Sequence, residues 1–218
     1  MTSTELRVIV SVPTAGVVPI GFAASLVGLF SYIAANHIKT MPEASLTVAI
    51  DLAASSNWIT NREQLARRAV DKNYTHMLVL DDDMVFAPNI LDIMMGRRQS
   101  IVCTNYLIKT DPPAKSPFVA VSLEGERIPT KRGDTGLVPI AYSGFGVSLF
   151  EVEVLRKVPQ PWFMPDFSPE KSEYTTEDNP FYRKAREAGF KVYLDQDASQ
   201  LVSHIGQYAW NWEGIDHG

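Results

Sequence analysis

Apolar and polar positions alternate in two different periods along the first half of the chain. Arg7–Val12 (RVIVSV) is a β-branched apolar run and predicts a buried strand. Pro13-Thr14-Ala15-Gly16 breaks it as a loop, and Pro19 to about His37 reads as a helix buried on much of its surface. Leu46–Asp51 is a second strand, followed by a loop of small polar residues from Ala53 to Ile59. Thr60 with Glu63 three residues later has capping-box spacing, so a helix is expected from Asn61 to about Lys72 with Leu65, Ala66 and Ala69 inward. His76–Leu80 is a third apolar strand that runs straight into Asp81-Asp82-Asp83; a short helix from Pro88 to Gly96 and a strand at Ser100–Thr104 follow. Strands alternating with helices predict an α/β sheet with parallel strands.

The second half has shorter elements. Phe118–Leu123 and Arg127–Pro129 flank Glu124-Gly125-Glu126 as a hairpin, Val138–Tyr142 reads as a strand, and Val147–Val158 holds a strand and a short helix. Pro159–Thr176 has no period and reads as a long functional loop. Asn179 reads as the cap of a helix with Pro180 in its first position, running to Ala188 and stopping at Gly189. Lys191–Leu194 is a late strand, and the tail carries His204, Trp210 and Trp212, the tryptophans reading either as a stacking platform or as packing over the core.

Length narrows this to one domain: 218 residues suffice for a full core without staples. A net charge of −5 argues against a uniformly basic nucleic-acid coat, and the single cysteine, Cys103, allows neither an intrachain disulfide nor a cysteine-based zinc site. The uncharged stretch from Arg7 to Lys39 is long enough to raise the question of a membrane span, but Pro13, Pro19, Gly16, Gly21 and Gly28 interrupt it. Neither a span nor a secretory signal is expected, and the chain reads as soluble and cytoplasmic.

The candidate chemistry begins with Asp81-Asp82-Asp83, carboxylates at the end of a buried strand, where open α/β sheets bind ligands. In extended chain Asp81 and Asp83 share a face. Close like charges call for a cation, and carboxylate oxygen suits Mg²⁺ or Mn²⁺; a solvated acidic turn is the plain alternative. Glu177 and Asp178 precede a helix, where a carboxylate either satisfies free amides or stands ready to deprotonate a substrate hydroxyl. His204 is either structural or completes a metal site.

Taken together, Val12-Pro13-Thr14, Arg62, Thr75-His76, Leu80-Asp81-Asp82-Asp83-Met84, Tyr106 with Lys109, Gly144-Phe145-Gly146, Glu177-Asp178 with Phe181, Arg186-Glu187-Ala188-Gly189-Phe190 and His204-Ile205-Gly206 resemble a GT-A-fold glycosyltransferase of the family 2 type over nearly the whole chain. The resemblance implies a Rossmann-like nucleotide-diphospho-sugar transferase fold with a mixed, mostly parallel sheet flanked by helices. Residues 1–110 would form the nucleotide-sugar-binding half and 111–218 the acceptor and catalytic half. It implies Asp178 as catalytic base with Glu177 orienting it. The donor would meet Pro13, Thr14, Arg62, Asp81, Asp82 and Gly144-Phe145-Gly146. Asp81, Asp83 and His204 would hold Mn²⁺ or Mg²⁺. Trp162, with Phe163, would form part of an acceptor lid, and Tyr106 and Lys109 would approach the acceptor or the diphosphate.

The implied activity is metal-dependent, inverting transfer of a single sugar from a nucleotide-sugar donor, a uridine diphosphate sugar by family precedent, to an acceptor hydroxyl. That acceptor could be a glycan, a protein, a small molecule or a modified DNA base. Family members often carry Arg-Asn at the start of the second helix; here Glu63 follows Arg62. A nucleotidyltransferase is the nearest other enzyme, but Pro13-Thr14-Ala15-Gly16 lacks the basic residue of a phosphate loop. A non-catalytic nucleotide-sugar-binding module and a metal-dependent nuclease are the remaining readings.

Overall fold

A computed structural model describes residues 5–110 and 117–206 and the backbone of 209–210. The tryptophan pair expected to pack or stack in the tail lies outside these residues in its side chains, Trp212 entirely. The chain runs β1 (Glu5–Thr14), α1 (Ile20–Asn36), β2 (Ser45–Ala54), α2 (Trp58–Asp71), β3 (His76–Leu80), β4 (Met84–Phe86), α3 (Ile90–Gly96) and β5 (Ile101–Cys103). It continues through β6 (Leu137–Pro139), β7 (Val147–Glu151), α4 (Val152–Lys157), β8 (Phe167–Ser168), β9 (Glu173–Tyr174), α5 (Asp178–Glu187), β10 (Tyr193–Asp195), α6 (Gln196–Ser199), β11 (Val202–Ile205) and β12 (Ala209–Trp210).

The central sheet has seven strands in the order β2-β1-β3-β7-β5-β10-β6. Strands β1, β2 and β3 pair in parallel, as do β5 and β10; β7 and β6 run the other way. This is the mixed, mostly parallel α/β sheet flanked by helices that the family resemblance implies; strand–helix alternation alone predicted parallel strands. Strict two-residue alternation builds a core on each face. Ile9, Met77, Val79, Ile101 and Phe150 pack toward α2, α4 and α5; Val8, Val10, Val12, Leu78, Leu80, Val102 and Leu149 pack toward α1 and α3. Pro13 is tolerated in β1 because the pairing with β3 has already ended at Ser11.

Several local readings are corrected. Helix α2 starts before Thr60: Asn57 is its cap and accepts from the Thr60 amide at 3.0 Å, while Glu63, the expected capping partner, accepts from the Phe163 amide at 2.6 Å. Asp178 rather than Asn179 opens α5, its Oδ1 accepting the Asn179 amide, and Gly189 stops that helix with φ +89°. Helix α1 buries only the stripe Phe22, Ser25, Leu29 and Ile33; Ile20 is 88% exposed and Val27 67%. Among the described residues no helix is long and apolar enough to cross a membrane. The Pro159–Thr176 segment holds a small hairpin, β8 against β9, and the 118–129 segment is joined by single bridges such as Val121 to Arg127 instead of two regular strands. A second sheet, β12-β11-β4, was not anticipated; it brings His204 opposite Met84, next to the aspartates.

Candidate active-site crevice

From β1 the chain moves to β2 on one side and then crosses to β3 on the other. The sheet therefore has a topological switch between β1 and β3, and a crevice opens at their carboxyl ends. A cavity of about 470 Å³ lies there, lined by Pro13, Thr14 and Ala15 after β1, by Ser55, Ser56 and Trp58 after β2, and by Asp81, Asp82 and Asp83 after β3. Asn61 and Arg62 of α2, with Thr176 and Glu177, complete the lining. The volume is in the range of ligand pockets.

Asn61, which sequence reasoning passed over, binds the first two loops together. Its Nδ2 donates to the Thr14 carbonyl at 3.2 Å and the Ser55 carbonyl at 3.1 Å, and its Oδ1 accepts from the Ser55 hydroxyl at 2.7 Å. Only its place in the first turn of α2, one residue before Arg62, hinted at this.

Arg62 is the centre of the crevice. Its Nη2 donates to Asp81 Oδ1 at 2.7 Å and its Nε to Glu177 Oε1 at 2.9 Å, while the guanidinium sits 5.0 Å from the Phe145 ring centre. Burial works against its charge, but Asp81 and Glu177 outweigh this and raise its pKa. Nη1 is buried without a hydrogen-bond partner among the described residues. Burial also pushes Glu177 up to about 7, against the pull of Arg62. Asp178 is likewise raised by burial, offset in part by the Thr176 hydroxyl and the Asn179 amide on its Oδ1. Glu177 lines the cavity itself; Asp178 sits one residue on, within electrostatic reach of Arg62 and Asp81.

The three aspartates lie on a turn closed by the Met84 amide on the Asp81 carbonyl, so the shared face expected of extended chain does not hold. Asp81 turns to Arg62. Asp83 Oδ2 instead meets Lys109 Nζ at 2.5 Å and His204 Nε2 at 3.0 Å. Burial opposes the Asp83 charge, but His204 and Lys109 prevail and bring its pKa down to about 2.

The His204 ring is oriented by the Leu107 carbonyl, 3.0 Å from Nδ1. A carbonyl only accepts, so Nδ1 carries a proton and Nε2 faces the carboxylate. Two lone pairs cannot face each other at that distance; a proton on Nε2 or a cation bound to both atoms resolves the conflict. A carboxylate oxygen and an imidazole nitrogen whose ring is held by a backbone carbonyl are donor types that would suit a divalent ion. Among the described residues no three His, Cys, Asp or Glu side chains gather to hold a metal, so such an ion would take two ligands from the protein and the rest from substrate and water.

Other expected contacts are corrected. Tyr106 is buried, its hydroxyl accepting the Gly146 amide at 3.0 Å and its ring set edge-on to His204 at 5.2 Å. A Cβ on Gly144 would stand 2.1 Å from the Tyr106 hydroxyl oxygen, so Gly144 and Gly146 make room for that tyrosine and not for a sugar. Phe145 is buried among Phe150, Phe163, Phe181 and Tyr182. Trp162 is 2% exposed and donates its indole N–H to the Leu155 and Val158 carbonyls; with Phe163 it belongs to the core and forms no acceptor lid.

No protein-family profile matches the chain, and no curated protein matches it. Among solved structures, A197 from STIV superposes with a TM-score of 0.57 at 16% identity, over 92% of this chain and 86% of that one. A nucleoside-diphosphate-sugar pyrophosphorylase from Vibrio cholerae RC9 superposes with a TM-score of 0.46 at 11% identity, over 86% of this chain and 91% of that one. At 16% identity the likeness to A197 is one of fold alone, a Rossmann-like α/β sheet.

Proposed function

We propose that the chain is a glycosyltransferase that moves a single sugar, with inversion, from a nucleoside diphosphate donor to an acceptor hydroxyl. One observation carries this reading: Asp83, paired with His204, and Glu177, with its raised pKa, line the same crevice, and Asp178, also raised, follows Glu177 in the chain. The Asp83–His204 pair suits the charge of a leaving diphosphate; the raised carboxylates suit removal of a proton from an attacking hydroxyl.

The nucleoside lies along the loops after β1 and β2, where Pro13 and Thr14 face the cavity and Asn61 holds them in register with Ser55. Asp83 and His204 would hold Mg²⁺ or Mn²⁺, which would offset negative charge on the diphosphate. Asp81 keeps Arg62 in place, and Arg62 in turn fixes Glu177. Asp178 takes the acceptor proton on its second oxygen, Oδ1 being engaged by Thr176 and the Asn179 amide. Its raised pKa makes it a stronger base than a solvated aspartate.

The test is product identity. Purified protein with Mn²⁺ and a panel of nucleotide sugars is expected to release nucleoside diphosphate from one donor class, a uridine diphosphate sugar by the family resemblance, with Asp178→Asn abolishing release and Asp83→Ala abolishing its dependence on Mn²⁺. Pyrophosphate exchange without sugar transfer would replace this reading by a nucleotidyltransferase, and binding without turnover, unchanged in Asp178→Asn, by a binding module.

A further inference from the structure

The acidic cluster already carries protein cations. Asp81 is paired with Arg62, and Asp83 Oδ2 receives both His204 Nε2 and Lys109 Nζ. Two of these partners behave differently. Arg62 is buried, held at two carboxylates and stacked on Phe145. Among the described residues Lys109 is held by one carboxylate oxygen, its side chain is 31% exposed, and a lysine ammonium on a four-carbon stem swings freely where a two-point guanidinium does not. A cation bound between Asp83 Oδ2 and His204 Nε2 would sit beside that ammonium, on the same oxygen, and two positive charges so close in a half-buried crevice repel strongly.

We propose that Lys109 is the resident cation of the crevice: its ammonium competes with a divalent metal for Asp83 Oδ2, and a bound diphosphate draws it away so that the metal enters after the donor. This rests on the reading of the crevice as a nucleoside diphosphate site and adds an order of binding to it. Lys109 thereby couples the two ligands. Diphosphate offers the ammonium an alternative anionic partner and leaves Asp83 and His204 free for the metal. Without diphosphate, the ion pair with Asp83 neutralises the carboxylate, and the empty crevice discourages stray cations.

The experiment is Mn²⁺ binding to the full chain, followed by electron paramagnetic resonance of free Mn²⁺ and by calorimetry, with and without nucleoside diphosphate. The wild type, Lys109→Met, Lys109→Arg and Asp83→Ala are compared. Lys109→Met is expected to bind Mn²⁺ alone more tightly than the wild type, by a factor on the order of 5–150, the usual span of coupling between sites. Saturating diphosphate should shrink that gap to less than about threefold, since the lysine is then already withdrawn. Lys109→Arg should keep the block, and Asp83→Ala should lose the site.

Equal Mn²⁺ affinities for wild type and Lys109→Met, or no Asp83-dependent Mn²⁺ binding in either, overturn the proposal. Failure of the crevice reading looks different: no nucleoside diphosphate from a panel of bases binds any of the four proteins. The arm with Mn²⁺ alone still tests the lysine in that case.

Discussion

Arg62→Met removes the one cation shared by Asp81 and Glu177 while keeping most of the side-chain volume against Phe145. The Arg62 side chain is 9% exposed and that of Glu177 10%, so this is a buried pair. Removing one partner of a buried pair costs about 3–5 kcal/mol. Glu177 softens that cost, because burial already places its pKa at about 7 and loss of Arg62 raises it further, so it escapes by binding a proton.

The net loss near neutral pH should therefore fall toward about 2–3 kcal/mol. For a chain of this size that is roughly 4–12 °C in Tm, at about 2–4 °C per kcal/mol. The sign with pH follows. Below about pH 7 Glu177 is protonated in wild type and variant alike and the deficit is small; it grows as pH rises from there to the variant's higher pKa, because only the wild type ionises against Arg62, and it levels off above that. Thermal unfolding of wild type, Arg62→Met, Glu177→Gln and the double variant at pH 5.5 and 8 checks this. The double variant should recover more than about 1 kcal/mol relative to additivity. A Tm shift below 2 °C at pH 8, or strict additivity, would refute the buried pairing.

Gly144→Ala puts a Cβ 2.1 Å from the Tyr106 hydroxyl oxygen and 2.9 Å from Val119 Cγ2, so denaturant unfolding should show a loss of about 1–3 kcal/mol, with Tyr106→Phe restoring only part of it because Val119 remains in the way. Asp178→Asn should lower kcat by about 10²–10⁴-fold with nucleoside diphosphate affinity unchanged by calorimetry; a matching loss of affinity would make Asp178 a binding residue instead. With Glu177 raised to about 7 beside Asp178, kcat/KM should fall as pH drops through about 7, and Glu177→Gln should move that acid limb; an acid limb that Glu177→Gln leaves in place would contradict the role given to Glu177. Burial pushes the Cys103 thiol up to about 12, with Tyr182 and Ser148 as partners, so a thiol reagent at pH 8 should label it only on unfolding.

The strands were legible where the pattern was strong. His76–Leu80 emptying into three aspartates, and Arg7–Val12 with its proline-threonine break, are local signals that tertiary packing reinforced. The start of α2 was misread because Thr60 and Glu63 have capping-box spacing; Asn57 competes for the same amide, and Glu63 is taken by the Phe163 amide from a loop far along the chain. Strand β4 has three residues and a partner in β11, so no window of sequence could show it. Trp162 in an aperiodic, proline-rich segment looked like a lid, yet its indole N–H finds two backbone carbonyls and the ring goes inside. In the site, the acidic residues were visible as types, but their pairing was not. Arg62 reaches Glu177 across 115 positions, and whether Asp81 or Asp83 faces the histidine depends on a turn whose closure leaves no mark in the residue pattern.

The crevice between β1 and β3 as a metal-assisted nucleoside diphosphate site is tested most directly by a crystal grown with Mn²⁺ and uridine diphosphate, with anomalous data collected at the manganese edge. The expected result is one anomalous peak within about 2.3 Å of both Asp83 Oδ2 and His204 Nε2, with the nucleoside along Pro13 and Thr14 and Lys109 turned from Asp83 to phosphate. Nucleotide bound elsewhere, or in the crevice with manganese away from Asp83 and His204, would contradict it.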